Sequence, residues 1–408
     1  KSIDPNGRQW TVCSETRKAT AHEVLLTVGH EGWRSVDELG MIPTFPFTRL
    51  SEDAIVPGAD VSVRGFGLTF IDAALCLTEG REGQFVREYQ ALDYRSSGRE
   101  PRRIAPHCRT GRPMLSKPDE RLFPQPPELD EIWSRAGQRL AEICRPIDVL
   151  SLRRHLWPVI TDAAAEALRC FPAGYCTGET ISTWFARWCS SEMTGDDALE
   201  AMRQSYRVAT GQAAPDIPWS LGAAWRGIYP ALVELVNHGG MAPTAWPMFR
   251  SITTEMERLS FGPPASNAGR ILALIEAEII YLSRLAASTY QPDPPSDRVT
   301  RRRSANTPEY KIDAVIPSPH HVNPQGPLQY LEDAGIIQRA PGARGISVDE
   351  CGAPLNSAKR ARGISVLGRA TEGCILGNDS LSRSLDPHPE SWSRRVVERI
   401  RKRVFKHG

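Results

Sequence analysis

The chain lacks any run of about 18 apolar residues, the length a helix needs to span a bilayer, so no membrane-spanning helix is expected. It also has little net charge. Fifty Lys and Arg stand against 48 Asp and Glu, leaving only +2, so no global field exists to gather nucleic acid. The nine cysteines are scattered singly with no C-x-x-C pair, and Cys170 and Cys176 are the only near neighbours. A disulfide framework belongs to short secreted chains and a zinc site needs clustered ligands, so reduced structural thiols and no metal are expected. His320-His321 is set aside as a metal pair, because adjacent side chains on an extended segment point to opposite faces. Lys1 to Gly7 carry no basic-then-apolar export pattern, which reads as cytoplasmic. G-x-S-x-G, H-E-x-x-H and Walker loops are all missing, and with them the minimal parts of the common hydrolases and P-loop enzymes. What is left is a small-molecule partner, with no nucleic acid and no membrane; the oligomeric state stays open.

What is present is an ordinary globular composition, 40% hydrophobic and 24% charged, which argues against disorder. A length of 408 residues favours two or three domains. Pattern divides the chain into three. Residues 1–117 alternate short apolar runs, such as Val24-Leu-Leu-Thr-Val and Asp60-Val-Ser-Val, with Gly and Pro, and read as α/β. In residues 118–300, after a proline-rich joint at Pro118 to Pro127, apolar residues recur at three and four spacings, as in Ile132, Ala136, Leu140 and Ile143. This predicts a mainly helical insertion, with candidate helix starts at Asp148, Thr180 and Asp196-Asp197. Trp184, Trp188, Trp219, Trp225 and Trp246 fall there, as interhelical core or as a pocket wall. Arg301-Arg302-Arg303 reads as a solvated connector. Residues 301–408 return to strands and end in a basic amphipathic helix from Trp392, with Val397, Ile400 and Val404 on one face. The phrase Ala-Arg-Gly-Ile-Ser-Val occurs twice, from Ala343 and from Ala361, which predicts a strand pair.

The chemistry-bearing motif is Asp60-Val-Ser-Val-Arg-Gly-Phe-Gly-Leu-Thr-Phe-Ile-Asp-Ala, an apolar strand emptying through Gly65, Phe66, Gly67, Leu68 and Thr69 into a helix-compatible run. Gly65 permits a tight turn, Gly67 a close approach to pyrophosphate, and the helix aims its first N–H groups at the anion. Phe70 holds the place of a third glycine, which implies looser packing. The ribose-reading position is ambiguous between Arg81, Glu82, Arg87 and Glu88, while Arg109 and Arg112 follow another apolar segment and are placed to flank the phosphate. NADP is slightly favoured over NAD. Two further strand ends face a cofactor in the same manner, one at Gly29 and His30, the other at Gly368, Arg369, Asn378 and Asp379, where Asn378 or Asp379 is either a cofactor ligand or a helix N-cap.

Leu25-Leu-Thr-Val-Gly-His, Arg64-Gly-Phe-Gly-Leu-Thr-Phe-Ile-Asp-Ala, Tyr94-Arg-Ser-Ser-Gly-Arg-Glu-Pro, Cys108-Arg-Thr-Gly-Arg-Pro, and Leu367-Gly-Arg-Ala-Thr-Glu-Gly with Gly377-Asn-Asp-Ser-Leu are together similar to the FAD/NAD(P)-binding group that includes flavin-dependent aspartate N-hydroxylases and urate hydroxylases. The resemblance covers both α/β regions and reaches the helical centre by position only. It implies a Rossmann-like α/β fold of the two-dinucleotide-binding-domain flavoprotein type with a large helical insertion. FAD and NADP (or NAD) would be the cofactors and hydroxylation of a small amine or heterocycle the reaction, with the organic chemistry belonging to the cofactor. In that group a first glycine loop for FAD lies upstream of the strand that ends in threonine-glycine-histidine. No such loop precedes Gly29, Val28 separates Thr27 from Gly29 where the family pattern often has alanine-threonine-glycine, and the chain opens on Lys1, so a truncated sequence is expected. A flavin-linked reductase without oxygen insertion and a non-catalytic dinucleotide-binding relative remain alternatives. No catalytic side chain can be named.

Overall fold

The computed structural model describes residues 2–6, 9–29, 40–88, 91–172, 176–286, 309–316, 326–339, 345–355, 361–378 and 388–407. Three short strands, β1 (Ser2–Asn6), β2 (Gln9–Cys13) and β3 (Lys18–Ala21), form an antiparallel meander. β4 (Val24–Leu26) does not extend it. It pairs instead, in parallel, with β11 (Ile364–Val366), Ile364 lying opposite Val24. The two ends of the described chain therefore share one core, in which Trp10, Leu26, Ile364 and Val366 are buried.

A second core surrounds a four-stranded parallel sheet made of β5 (Ile42–Pro43), β6 (Asp60–Arg64), β9 (Arg103–His107) and β10 (Glu309–Asp313). Its spatial order is β5-β10-β6-β9. Val61, Ser62 and Val63 are buried in succession, the mark of a parallel strand covered on both faces. Helix α1 (Leu68–Leu77) follows β6 directly and buries Phe70, Ile71, Ala73, Ala74 and Leu77, a stripe at helical spacing. β7 (Gln84–Glu88) and β8 (Ala91–Arg95) form an antiparallel hairpin between α1 and β9.

After β9 the chain leaves the sheet and, among the described residues, forms seven longer helices, α2 (Glu128–Ala141), α3 (Trp157–Arg169), α4 (Gly178–Ser190), α5 (Gly195–Ala209), α6 (Ile217–Val236), α7 (Trp246–Ser260) and α8 (Ala265–Glu276). It then returns as β10, slotted between β5 and β6. α6 is the axis of the helical core, with Trp225 fully buried and α2, α3 and α7 packed around it. Trp188, Trp219 and Trp225 serve this core, while Trp184 and Trp246 lie at its margin. α5 and α8 lean the other way, placing Ala198, Met202, Ile271 and Leu274 in the core of the sheet. Past α8 the chain runs along β9, where the Ile104 N–H donates to Ile279 O at 2.8 Å and the Tyr281 N–H to Ile104 O at 3.0 Å.

Several sequence expectations need correction. The start of α4 is capped by Thr177 and not Thr180, and that of α5 by Thr194, whose reciprocal bonds with Asp197 make a capping box; Asp148 caps a short turn as expected. The two Ala-Arg-Gly-Ile-Ser-Val phrases do not pair with each other. The second supplies β11, whose parallel partner is β4, and the first contributes Ile346, whose N–H donates to Ala370 O at 2.8 Å. The C-terminal helix α9 (His388–His407) leaves two residues of its apolar stripe, Val397 and Ile400, 45% and 53% exposed. Its arginines make the contact, Arg395 donating to Ser365 Oγ at 2.6 Å and Arg399 to Glu23 at 3.0 and 3.1 Å. The fold is mixed α/β with parallel sheets and many helices, compatible with a Rossmann-like arrangement. Among the described residues no helix is long and apolar enough to cross a membrane. His320, His321 and Arg301-Arg302-Arg303 lie outside the described residues.

Candidate functional site

The turn from β6 into α1 sits at the carboxyl edge of the four-stranded sheet, on an inner strand. Gly65 adopts φ +116, and a Cβ there would meet Ala314 O at 3.0 Å. Its N–H donates to His107 O at 2.9 Å. This glycine thus serves the crowded junction of β6, β9 and the end of β10. Gly67 is different: a Cβ would meet nothing nearer than Met114 Sδ at 3.7 Å. It is the N-cap of α1, no side chain caps that helix, and the first turn holds no acidic residue. Leu68 and Thr69, the next two residues, thus present backbone N–H groups at an open helix N-terminus with no carboxylate to compete, which is the donor set a phosphate requires. Phe66 and Phe70 lie below, buried, their rings 5.4 Å apart, so an aromatic ring fills the space that a third glycine would leave.

Around this turn the strand ends carry charge. Arg64 grips Asp313 through two bonds of 2.9 and 2.6 Å, tying β6 to β10. Thr44 donates from N and Oγ1 to Asp313 O, adding β5. His107, at the end of β9, has its pKa lowered by burial and by the nearby Arg64 cation, against a smaller opposing effect of Asp313. Sequence spacing could not reveal this cluster, because Arg64 and Asp313 are separated by the entire helical region.

The arginines named from sequence divide sharply. Arg109 is exposed and stands two residues beyond His107, on the same edge as the Gly67 turn. Arg112 turns inward: Nε and Nη2 bond Glu255 at 2.9 and 3.0 Å, and Nη1 meets the carbonyls of Trp188, Cys189 and Ser191. With its donors consumed, Arg112 is a structural lock and not a phosphate flank. Arg81 is buried in the same manner, on the carbonyls of Leu50, Ser51, Ile55 and Arg99. Glu82 pairs with Arg99. Arg81 is thus committed inside the fold, whereas the Glu82 side chain stays exposed.

The other predicted residues meet at the end of the β4-β11 pair. The Leu367 N–H donates to Leu26 O at 3.0 Å, which sets Gly368 beside the chain that runs on to Gly29. Both glycines have positive φ, +59 at Gly29 and +77 at Gly368. Asn378 returns to this place: its carbonyl would lie 3.7 Å from a Cβ on Gly368, and its Nδ2 donates to Ile375 O at 2.8 Å. Arg369 pairs with Glu372 at 3.1 Å. His30 and Asp379 lie outside the described residues. Sequence reading missed Asn237, at the end of α6, whose buried side chain accepts from the Leu376 N–H at 2.7 Å and donates to Leu376 O at 3.3 Å. It fastens the loop bearing Asn378 to the helical core. The predicted residues thus occupy two separate glycine-lined strand ends, Gly65 to Thr69 with Arg109 at one, and Gly29, Gly368, Arg369 and Asn378 at the other.

Two such ends, each at the carboxyl edge of parallel strands, are where open α/β sheets bind nucleotides. Comparison with known proteins decides the relationship. Over an alignment of 273 positions, covering 56% of this chain, 33% of residues are identical to an L-aspartate N-monooxygenase (nitrosuccinate-forming) of Streptomyces davaonensis. The chain is a homologue of aspartate N-monooxygenases. The same-named protein of Streptomyces cremeus is 27% identical over 280 positions, 57% of this chain, and the nitrosuccinic acid synthase npaA of Aspergillus oryzae 34% over 128, or 28% of this chain. The matched stretches make up 42%, 41% and 20% of those relatives, so the chain spans well under half of their length. No family model matches it.

Proposed function

We propose that this chain is part of a flavin-dependent N-monooxygenase that uses FAD and NAD(P)H and takes a small amine, of the acidic amino-acid kind that its relatives' names specify, as substrate. The observation that carries this reading is the homology to aspartate N-monooxygenases. The open N-terminus of α1 supports it. In this reading the N–H groups of Leu68 and Thr69 hold the pyrophosphate of the nicotinamide cofactor, Gly67 lets the backbone come close, and exposed Arg109 meets a second phosphate, which favours NADP. Gly29 and Gly368 give room for FAD at the other strand end, with Asn378 as a hydrogen-bonding partner and Arg369 beside Gly368; His30 and Asp379, which lie outside the described residues, are proposed for the same cofactor. When bound, reduced flavin would supply the oxygen chemistry. The protein's own contribution is to position and to exclude water, for which the helical region provides the mass.

The test is spectroscopic. Purified chain with added FAD is expected to hold a visible flavin absorbance that bleaches under NADPH without oxygen and returns on aeration. A protein that neither retains flavin nor binds NADPH would sink the proposal. Bleaching with no nitrogen-oxidised product from L-aspartate would reduce it to a flavin-linked reductase.

A further inference from the structure

When a dinucleotide rests its pyrophosphate on the first turn of a helix, the end of the next parallel strand in chain order meets the ribose 2′ position. In this sheet that strand is β9, which pairs with β6 so that His107 lies opposite Arg64. The β7-β8 hairpin intervenes between α1 and β9, so the strand end comes about twice as far beyond the glycine turn as the usual spacing of ~20 residues. Arg81 and Glu82, nearer that spacing, stand past the last turn of α1. About 15 Å of helix separates them from Gly67, so they cannot read a ligand held at its first turn. From Pro106 to Thr110 the end of β9 holds no carboxylate, the group that would bond an unmodified 2′-hydroxyl. It holds His107 and Arg109 instead.

His107 is the last residue of β9, and its position is fixed from two sides. Its carbonyl accepts from the Gly65 N–H at 2.9 Å, which ties it to the turn leading into α1. Its Nδ1 lies 3.4 Å from the Oγ of buried Ser62. Nε2, the other nitrogen of this half-buried ring, has no hydrogen-bond partner among the described residues. The charged groups that face the ring are Arg64 of β6 and Asp313 of β10, and these are engaged with each other through two bonds. We infer that His107 is the residue by which this chain tells NADPH from NADH, its Nε2 donating to the 2′-phosphate beside Arg109. The inference rests on the nicotinamide cofactor proposed for the open start of α1 and names the residue that sets its choice. Burial and the Arg64 cation hold the ring below its ordinary 6.5, so near pH 7 it is uncharged when nothing is bound. A phosphate dianion set against Nε2 favours the imidazolium and raises that value. NADPH binding therefore takes up a proton, whereas NADH binding brings no charge to this place and does not.

The experiment is calorimetric titration of the full chain with NADPH and with NADH at pH 7, in buffers of low and high ionisation enthalpy, whose difference in heat counts the protons exchanged. The parent is expected to bind NADPH at least about tenfold more tightly than NADH and to take up protons with NADPH alone. His107→Gln should weaken NADPH by about tenfold, weaken NADH by less than about twofold, and abolish the uptake. Arg109→Gln should also weaken NADPH but keep the uptake, because it leaves the imidazole in place. Equal affinity of the parent for the two cofactors, NADPH binding without proton uptake, or a His107→Gln chain with the parent's preference would each overturn this inference alone, since the cofactor is still bound. Failure of both NADPH and NADH to bind would overturn it together with the cofactor reading on which it rests. Should His107→Gln not fold, the proton uptake of the parent decides.

Discussion

Arg112 and Glu255 meet 143 positions apart in the chain, joined by two parallel bonds of 2.9 and 3.0 Å, both side chains more than nine-tenths buried. Glu255 Oε2 also accepts from Trp188 Nε1 at 2.9 Å, and Arg258 Nε lies 3.6 Å away. The pair pins the segment after β9 to α4 and α7, so it fixes how the helical region leaves the sheet. Removing Glu255 leaves the Arg112 cation buried without its carboxylate, and removing Arg112 leaves Glu255 with only Trp188 and the more distant Arg258. Arg112→Met and Glu255→Gln are each expected to cost about 3–5 kcal/mol in urea unfolding, with the double variant well below their sum.

The two glycines of the β6-α1 turn should separate in their effects. Gly65→Ala forces a side chain into positive φ at 3.0 Å from Ala314 O, and should destabilise the fold by about 1–3 kcal/mol. Gly67→Ala meets only Met114 Sδ at 3.7 Å and should change stability by less than about 0.5 kcal/mol. If the turn holds a pyrophosphate, the Gly67 variant weakens NADPH binding in fluorescence titration while melting like the parent.

Glu100 gives an acid-side signature. Burial raises its pKa, but hydrogen bonds from Ser96, Tyr94 and the Ser97 N–H outweigh that and bring it to about 2, from an ordinary 4.5. Because the folded value is depressed, the stabilisation is present above 4.5 and is lost as pH falls through about 2. Glu100→Gln should cost about 1–3 kcal/mol at neutral pH and flatten the acid limb of the stability profile.

A second pH dependence lies at the junction of α6 and α9, where His238 Nε2 and His388 Nε2 are 3.1 Å apart. The pKa of His238 is lowered by burial, then by His388 and Arg145, while a Val348 backbone hydrogen bond and Glu350 oppose. The stabilisation is present above the ordinary value of 6.5 and is lost as pH falls through the depressed folded value. His238 has φ +53, a conformation that Asn tolerates, so His238→Asn should keep the backbone and remove this slope from urea melts compared across that range.

The strand-turn-helix at Asp60 to Leu77 was legible because its signal is local: three successive buried residues, then glycines, then a 3.6-residue stripe. The helical region was legible for the same reason. The fates of Arg81, Arg109 and Arg112 were not, since identical side chains in similar loops differ only in which carbonyls and carboxylates the fold brings near them. The capping residues of α4 and α5 were displaced by two or three positions because several hydroxyls and carboxylates compete within one turn.

By itself the sequence determined the alternation of strand and helix, the glycine turns, and the kinship with aspartate N-monooxygenases, all of which depend on residues close together or on aligned identity. Tertiary structure alone decided that β10 inserts between β5 and β6, that β11 takes β4 as partner in place of its own repeat, and that α7 closes a charged cavity over Gly368–Asn378. Periodicity records which face of an element is buried. It holds no record of which distant element buries it, because that choice is made by the fit and hydrogen bonding of surfaces that meet only when the chain has folded.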